Sequence, residues 1–417
     1  MIKSLKIKNF LSIKDEVIID FFSSKRWWKK NNSFKIWTQT LTKNILLYGA
    51  NASWKSNIIK SFLILNIVAT KNNLPKWISQ LFKFDNDTKN KESFFELNFF
   101  VDKKEYIYSV SLNDNIIKSE KLVYVKNKKN YEILFERIWL DFKNISPSFE
   151  KELNKWMEKI KENSSTIAVL SQWNWKLNWK SIDYIFRKIN FIWLSGLPIW
   201  LTVNLLDLKN NKKAKNFLVE IMKLADFSID DIKIKEKSIS DDVLEIIKDN
   251  ENFNEIKSSL ETKVEFWHKI NWTNDLEYLD FEEESSGTQR FFSLVWPIVD
   301  TIFNEKILFI DEIENKLHYF IVKEILKLIN SNIKDKKYQF FFTTHNIDLL
   351  DLDIFRQDQI AFVEKNDEQS TEFYKLSDID FPARKELDVK KYYKNWAFWA
   401  IPYVGDFRLL LNLYEKD

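Results

Sequence analysis

The chain has 417 residues, enough for two or three domains, and its 45% hydrophobic and 30% charged residues are typical of a globular protein with a large core. No apolar run reaches the ~18–20 residues of a membrane span and no signal peptide is evident, so we expect a cytoplasmic protein without membrane contact. The lack of cysteine excludes disulfides and thiolate metal sites, and 64 basic against 61 acidic residues is too close to balance to indicate nucleic-acid binding.

The N-terminal part is predicted to consist mainly of strands, with one long helix. Alternating apolar residues over 2–22 predict a β-hairpin. An apolar run at 45–48 predicts a short buried strand, and the helix that follows it ends near Asn72. Residues 93–137 alternate between turns and apolar runs, which is typical of an antiparallel meander that extends this lobe.

The segment between the buried strand and the helix fits a phosphate-binding loop, G-x-x-x-x-G-K-[ST], at all positions but one. Gly49, Lys55 and Ser56 match, whereas Trp54 stands in place of the second glycine. Such a loop closes backbone N–H groups around phosphate oxygens, and glycine permits the close approach. The predicted nucleotide-binding residues are Gly49, Ala50, Asn51, Ala52, Ser53, Trp54, Lys55, Ser56 and Asn57.

The composition suggests a reason for Trp54. The chain has only 4 glycines but 17 tryptophans, and the two together make up about 5% of it, near the ordinary glycine share of about 7%. Some tryptophans lie in polar, turn-like segments, such as Trp272 between Asn271 and Thr273. We therefore predict that most of them are UGA glycine codons translated as tryptophan. The alternative is a tryptophan-rich protein with a degenerate loop.

Residues 147–265 are mainly helical in pattern and densely charged. Phe149, Leu153 and Met157 form one stripe at helical spacing, and 215–224, 241–248 and 254–263 have similar patterns. The predicted domains are an N-terminal lobe at 1–140, a mainly helical insertion at 141–275 and a C-terminal lobe at 276–417.

Strands and helices alternate in the C-terminal lobe. The predicted strands are 276–281, 307–310, 340–344 and 360–363, and the predicted helices are 291–303, interrupted or started at Pro297, and 319–332. This alternation favours a parallel sheet covered on both faces.

Two acids follow the apolar run at 307–310. Asp311 at the end of this strand could orient Mg²⁺ together with the Ser56 hydroxyl. Glu312 points the other way and could polarise an attacking water. A strand that merely ends in acids at the surface would look the same, but its pairing with a phosphate loop favours the functional interpretation.

Two further motifs lie at a helix start and at a strand end. The small hydroxyl residues around a glycine at the helix start could bind an anion; they are Ser285, Ser286, Gly287, Thr288 and Gln289. After the strand at 340–344, His345 could bond the γ-phosphate or hold the attacking water. Each motif alone could be an ordinary helix cap or loop residue.

In this order, the four motifs resemble those of the ABC-type ATPase family, with Ser285–Gln289 similar to its LSGGQ signature. The resemblance is greatest to bacterial AAA/ABC-type ATP-binding proteins related to SMC-like and OLD-type ATPases, many of which are linked to phage defence. Leu5–Ser12, Glu312–His318 and Trp396–Pro402 also match. A clear Q-loop is lacking, and Gln80 is only a candidate.

The resemblance implies an α/β fold: a P-loop head with a mixed sheet, an antiparallel β subdomain and a helical insertion. It also implies ATP and Mg²⁺ as ligands, with Lys55, Glu312 and His345 catalytic and with Ser56 and Asp311 holding the metal. Two copies would pair head to tail around ATP, each signature completing the site of the other. An effector or nuclease protein and nucleic acid are possible partners.

The sequence leaves two other functions open. An OLD-like nuclease component would use the ATPase as a gate, although the segment after His345 looks too short for the acidic metal-binding domain of those proteins. A catalytically dead nucleotide-binding module is the second, if Trp54 is the true residue. A transporter subunit is disfavoured by the large insertion.

Overall fold

In a computed structural model, the fold is described for most of the chain. The described residues are 1–23, 30–49, 54–127, 130–173, 185–192, 211–225, 227, 229–236, 238–239, 244–245, 257, 261–270, 273, 275–333, 336–379 and 389–394. The loop residues 50–53 and the predicted family tail at 396–402 lie outside them, as do Trp272 and its neighbour Asn271.

Eighteen strands and seven α-helices are found in the described residues. The strands are β1 Ile2–Lys8, β2 Val17–Asp20, β3 Ser33–Ile36, β4 Gln39–Thr42, β5 Asn44–Gly49, β6 Ser93–Val101, β7 Lys104–Asn113, β8 Ile116–Val125, β9 Tyr131–Ile138, β10 Asp141–Ile145, β11 Ile189–Ile192, β12 Asp231–Glu236, β13 Thr262–Lys269, β14 Leu276–Asp280, β15 Ile307–Ile310, β16 Gln339–Thr344, β17 Ile360–Lys365 and β18 Thr371–Lys375. The helices are α1 Lys55–Thr70, α2 Pro147–Trp156, α3 Thr166–Trp173, α4 Lys212–Leu224, α5 Ser286–Phe303, α6 Tyr319–Ile329 and α7 Val389–Lys394.

The predicted hairpin and meander are confirmed and form one antiparallel sheet, in the order β10-β9-β8-β7-β6-β1-β2. Positive φ at Asp102, Lys103, Asp114 and Asn115 closes two of its hairpins with two-residue turns. The alternation of apolar residues places one face of this sheet in the core, since successive side chains point to opposite faces.

The phosphate loop leads out of a second, six-stranded sheet, in the order β11-β15-β16-β5-β17-β18. Its strands are parallel except for β18, which pairs antiparallel with β17. The sheet separates two cores: Ile45 and Leu47 face the core with α1 and the antiparallel sheet, whereas Leu46 and Tyr48 face the core with α5 and α6. A parallel sheet covered on both faces explains why its strands are continuous apolar runs. The predicted α/β class is therefore confirmed.

The predicted helix boundaries need two corrections. The helix expected to be interrupted or started at Pro297 instead begins at Ser286 and runs through Pro297 to Phe303. Proline removes one internal hydrogen bond, but the burial of most of the helix keeps it continuous. The last predicted helix ends at Ile329 instead of 332, where Asn330 caps it.

The region predicted to be mainly helical contains strands as well. The helix expected at 254–263 is wrong at its end, because Thr262–Lys269 forms the middle strand of the sheet β12-β13-β14. Ile189–Ile192 was not predicted as a strand, yet it pairs in parallel with β15 and extends the six-stranded sheet. The helix expected at 215–224 is confirmed as part of α4. The domain boundaries at 140 and 275 stay a prediction.

Among the described residues, none of the helices combines the length and apolar character needed to cross a bilayer.

Candidate functional site

Three of the predicted motifs meet at one edge of the six-stranded sheet. Gly49 ends β5, Asp311 directly follows β15, and His345 directly follows β16. Because β16 lies between β15 and β5 and all three strands are parallel, their carboxyl ends lie side by side. Ligand sites of open parallel sheets lie at this edge.

Ser56 and Asp311 form the oxygen-rich part of the site. The Ser56 hydroxyl donates to Asp311 Oδ2 over 2.7 Å, and Asp311 is buried. A hydroxyl and a carboxylate are hard oxygen ligands of the kind that Mg²⁺ prefers, with the rest of its octahedron left to water and phosphate. The chemistry of the pair fits a Mg²⁺ ion, and its role in holding the metal stays a prediction.

Lys55, His345 and Glu312 form a chain of contacts across the site. Lys55 Nζ donates to the carbonyl oxygen of Gly49 over 2.8 Å and lies 3.1 Å from His345 Nδ1. On its other side, His345 Nε2 lies 3.1 Å from Glu312 Oε1. When the lysine ammonium donates to Nδ1, the neutral ring carries its proton on Nε2 and donates it to Glu312. All three predicted catalytic residues are thus brought together.

The charge of Lys55 makes this site suitable for binding an anion. Burial lowers the pKa of Lys55 to about 8, against the opposing effect of the nearby carboxylates Glu312, Asp311 and Glu314. A phosphate would restore the full charge of the lysine, since an opposite charge nearby favours the protonated form.

Sequence reasoning assigned no site role to Glu314 or Thr343, and both contact the site. Glu314 Oε1 accepts from the backbone N–H of His345 over 2.6 Å and so holds the loop after β16. Thr343 bonds both Asp311 and Glu312. Two signals were available: Glu314 lies in the segment Glu312–His318 that matches the family, and Thr343 lies two residues before His345.

The phosphate loop is described at its two ends. Ala50, Asn51, Ala52 and Ser53 lie outside the described residues. Trp54 has φ 58° and ψ 34°, the left-handed conformation that glycine adopts readily and bulky residues rarely do. Its indole stacks on Phe84 with ring centroids 6.3 Å apart, and Lys365 Nζ lies 5.0 Å from the same ring.

Two other predicted residues bond elsewhere in the described structure. The Asn57 amide donates to Ser12 Oγ over 2.9 Å and ties the first turn of α1 to the N-terminal hairpin. The amide of Gln80 donates to the carbonyl oxygen of Trp77. Nucleotide contact by Asn57, and a Q-loop at Gln80, stay predictions.

The predicted signature lies at the start of α5, as expected. Ser285 caps the helix by accepting from the N–H of Thr288 over 3.1 Å, and its hydroxyl also pairs with that of Thr288. The Gln289 amide donates to the carbonyl oxygens of Glu282 and Glu284. In the part of the chain that the structure describes, these side-chain bonds stay within residues 282–289, and none joins the signature to Ser56 or Asp311. Completion of a nucleotide site by the signature stays a prediction.

Arg290 connects the signature helix to the segment after Asp311 and Glu312. It is buried, and its Nε donates to the carbonyl oxygen of Asn315 over 3.3 Å. Burial lowers the pKa of this guanidinium from its usual value.

A strand–loop–helix with a buried lysine, beside hydroxyl and carboxylate oxygens at parallel strand ends, defines a P-loop nucleotide-binding protein of the α/β class. A family model described as "AAA domain, putative AbiEii toxin, Type IV TA system" matches residues 45–353. The chain belongs to this family of AAA ATPase domains, and membership supports nucleotide-binding ATPase activity.

Known structures give weaker likenesses. The SMC head domain from Thermotoga maritima has a TM-score of 0.44 at 12% identity, over 90% of this chain and 98% of that one. An SmcHead bound to the C-winged helix domain of ScpA has a TM-score of 0.43 at 15% identity, over 90% and 97%. An Smc head domain with an extended coiled coil, bound to the C-terminal domain of ScpA derived from Pyrococcus furiosus, has 0.40 at 13%, over 95% and 98%. TM-scores below 0.5 are too low to assign a function or a partner. None of the curated proteins compared with the chain matches it.

Proposed function

We propose that this protein binds ATP with Mg²⁺ and hydrolyses it, as a nucleotide-driven switch of the ABC type. The observation that carries the proposal is the convergence of Lys55, Ser56, Asp311, Glu312 and His345 at one sheet edge. These are the residue types that phosphoryl transfer to water needs: a cation and a metal site for the phosphates, and a base for the nucleophile.

Each side chain has a role that its contacts support. Lys55 binds the β- and γ-phosphates, and its contact with His345 is exchanged for one to phosphate. Ser56 and Asp311 hold Mg²⁺, which when bound neutralises charge on the phosphate oxygens. Glu312 accepts the proton of the attacking water, while the Nε2–H of His345 fixes the orientation of that carboxylate. Glu312 and His345 are each 33% exposed, so water reaches them.

The exchange of Glu312 for glutamine tests hydrolysis. Glu312→Gln keeps the shape and loses the base, so turnover should fall by about 10²–10⁴-fold while ATP stays bound. His318→Gln is the matched control and should leave turnover unchanged. It also replaces a polar side chain with glutamine, but His318 only caps α6, by accepting from the N–H of Phe320 over 3.4 Å. Unchanged turnover in Glu312→Gln would remove Glu312 from its role.

A head-to-tail homodimer would bring the signature of one copy to the ATP of the other. Two observations support it: among the described residues, no side chain of the signature bonds to Ser56 or Asp311 of its own chain, and a Cβ on Gly287 would meet only Ser285 Oγ at 3.8 Å. Nothing in the described chain thus requires glycine there, and the space above it is open to a partner's phosphate. ATP added to Glu312→Gln should convert monomer to dimer in light scattering, and Gly287→Trp should prevent this without loss of ATP binding.

The identity of residue 54 belongs to the same proposal: in the host cell it is glycine. Its left-handed conformation supports this, and Trp37 and Trp139 support it further, with φ of 50° and 57°. Both open two-residue hairpin loops, β3–β4 and β9–β10, where positive φ calls for glycine, asparagine or aspartate. In addition, the indole N–H of Trp296 is buried without an acceptor in the described structure.

Two measurements distinguish an active switch with glycine at position 54 from a catalytically dead module with tryptophan there. Mass spectrometry of the protein from its native host reads residue 54 directly, and tryptophan there would refute recoding. ATP binding is then compared between the chain as written and Trp54→Gly. If only the glycine variant binds ATP, residue 54 is supported as glycine in an ATP-driven switch. If neither chain hydrolyses ATP, the protein is a module that does not hydrolyse.

The biological setting we infer is phage defence or DNA transactions with a partner protein. The family description names a toxin of a Type IV TA system, which supports a partner that controls the head. In a phage challenge, cells that express the intact protein with its neighbouring gene should form fewer plaques than cells with Glu312→Gln. An ATPase-gated nuclease would instead cleave plasmid DNA in the presence of ATP and Mg²⁺.

A further inference from the structure

Thr343 is the last residue but one of β16, and its hydroxyl lies between the two acids that follow β15. Thr343 Oγ1 lies 2.6 Å from Asp311 Oδ1 and 2.8 Å from the backbone nitrogen of Glu312. The residue is fully buried, so water does not compete for these bonds.

The direction of both bonds follows from the chemistry of a hydroxyl. It has one proton to donate, and the amide nitrogen can only donate. Thr343 therefore donates its proton to the Asp311 carboxylate and accepts from the N–H of Glu312. Asp311 accepts from Ser56 at its other oxygen, Oδ2, over 2.7 Å. The plane of this carboxylate is thus held from both sides.

The second bond bears on Glu312, whose backbone is unusual. Glu312 has φ 48°, a left-handed conformation that costs energy in any residue with a Cβ. Two bonds to Thr343 bracket this turn: the one from Glu312 N–H to the hydroxyl, and one from the Ile313 N–H to the Thr343 carbonyl oxygen over 3.1 Å. In this conformation the Glu312 side chain reaches His345 Nε2.

We infer that Thr343 is a positioning residue for hydrolysis, because one hydroxyl sets both the metal-binding carboxylate and the backbone turn that aims the base. The inference rests on the proposed ATPase activity. Thr343 does not touch the substrate; it acts through Asp311 and Glu312. Valine at this position keeps the β-branched shape and loses the hydroxyl, whereas serine keeps the hydroxyl.

Thr343→Val is the test, with Thr343→Ser as the conservative variant. Thr301→Val is the matched control, since Thr301 is equally buried and its hydroxyl has no hydrogen-bond partner among the described residues. All three are made in the full chain, with tryptophan and with glycine at position 54. Thr343→Val should lower kcat by about 10–100-fold and raise the Mg²⁺ concentration needed for half-maximal turnover, with a smaller change in KM for ATP. Thr343→Ser should restore most of the rate, and Thr301→Val should leave it unchanged.

A readout without nucleotide separates this inference from the proposed activity. Thr343→Val and Asp311→Asn are compared singly and together by their denaturation midpoints. Non-additive shifts support the bond between the two side chains. Additive shifts, or wild-type turnover and Mg²⁺ dependence in Thr343→Val, would overturn the inference. If the chains with Thr343 do not hydrolyse ATP, with either tryptophan or glycine at position 54, the proposed ATPase activity is rejected. Non-additive midpoints in that case would still keep Thr343 as the residue that positions Asp311.

Discussion

His345 Nε2 and Glu312 Oε1, from the loops after two adjacent parallel strands, lie 3.1 Å apart. The other ring nitrogen of the histidine lies 3.1 Å from the Lys55 ammonium. The imidazole thus bridges the group proposed to bind phosphate and the group proposed to activate water. Because it faces both, His345 is placed to change partners when ATP enters.

This contact predicts the effect of removing the imidazole. His345→Ala should reduce kcat by about 10–100-fold and leave ATP binding within a few fold, because Lys55 and Ser56 remain. Single-turnover hydrolysis and equilibrium binding measure the two effects separately. A variant that loses binding and keeps its rate per bound ATP would contradict the role given to His345.

The lowered pKa of Lys55 predicts proton uptake on ATP binding. Its pKa is about 8 in the protein without nucleotide, so above pH 8 the side chain is mostly neutral and must gain a proton to bind phosphate. ATP affinity should therefore fall by roughly tenfold per pH unit above pH 8. Calorimetry in buffers of different ionisation enthalpy counts the protons.

Lys43 supplies the control for this experiment. Burial also lowers its pKa to about 8, but it bonds Ser331 and Tyr338, away from the loop. Lys43→Met should keep the proton uptake, and Lys55→Met should abolish it together with most of the ATP affinity. Binding at pH 9 with no net proton uptake would show that Lys55 is not the group involved.

The hairpin tryptophans predict an unusual order of stability. At Trp37 and Trp139, glycine should give a protein about 1 kcal/mol more stable than alanine, because both substitutions remove the indole but only glycine accepts positive φ without strain. At Trp77, which is exposed and lacks positive φ, alanine should be at least as stable as glycine. Chemical denaturation of the six variants measures these differences. If alanine is as stable as glycine at the two hairpin positions, as expected at Trp77, the hairpins do not require the positive φ that favours glycine.

The antiparallel sheet contains a buried ion pair, and we expect a large loss of stability when its arginine is replaced. Arg137 Nε donates to Glu120 Oε2 over 2.8 Å, both side chains are fully buried, and Glu120 also accepts from the N–H and the hydroxyl of Thr166 at the start of α3. Arg137→Met leaves Glu120 charged and buried, which should cost about 3–5 kcal/mol.

The partly exposed pair Lys121–Glu136 on the same sheet is the comparison. Lys121→Met should cost under about 1 kcal/mol, since solvent screens this pair. Urea denaturation gives both values. A loss of less than 1 kcal/mol for Arg137→Met would mean that the pair contributes no more than a surface contact.

Local patterns in the sequence were enough to predict much of the fold and to single out residues that the fold brings together. The strand before Gly49 and the strand before Asp311 are apolar runs with polar ends, and the meander follows a period of two, so both are visible without tertiary information. The strand Ile189–Ile192 was missed because four apolar residues in a charged region do not distinguish a strand from a helix, and its pairing with β15 spans more than a hundred residues.

The sequence by itself determined the residue types of the site and their order along the chain, because each motif depends on short-range spacing within a strand end, a loop or a helix start. It also showed the shortage of glycine that makes Trp54 suspect. Only the tertiary structure decided that β16 lies between β15 and β5, since strand order depends on packing between distant segments. That order brings His345 between Lys55 and Glu312 and places the Thr343 hydroxyl against Asp311, which no spacing along the chain could show.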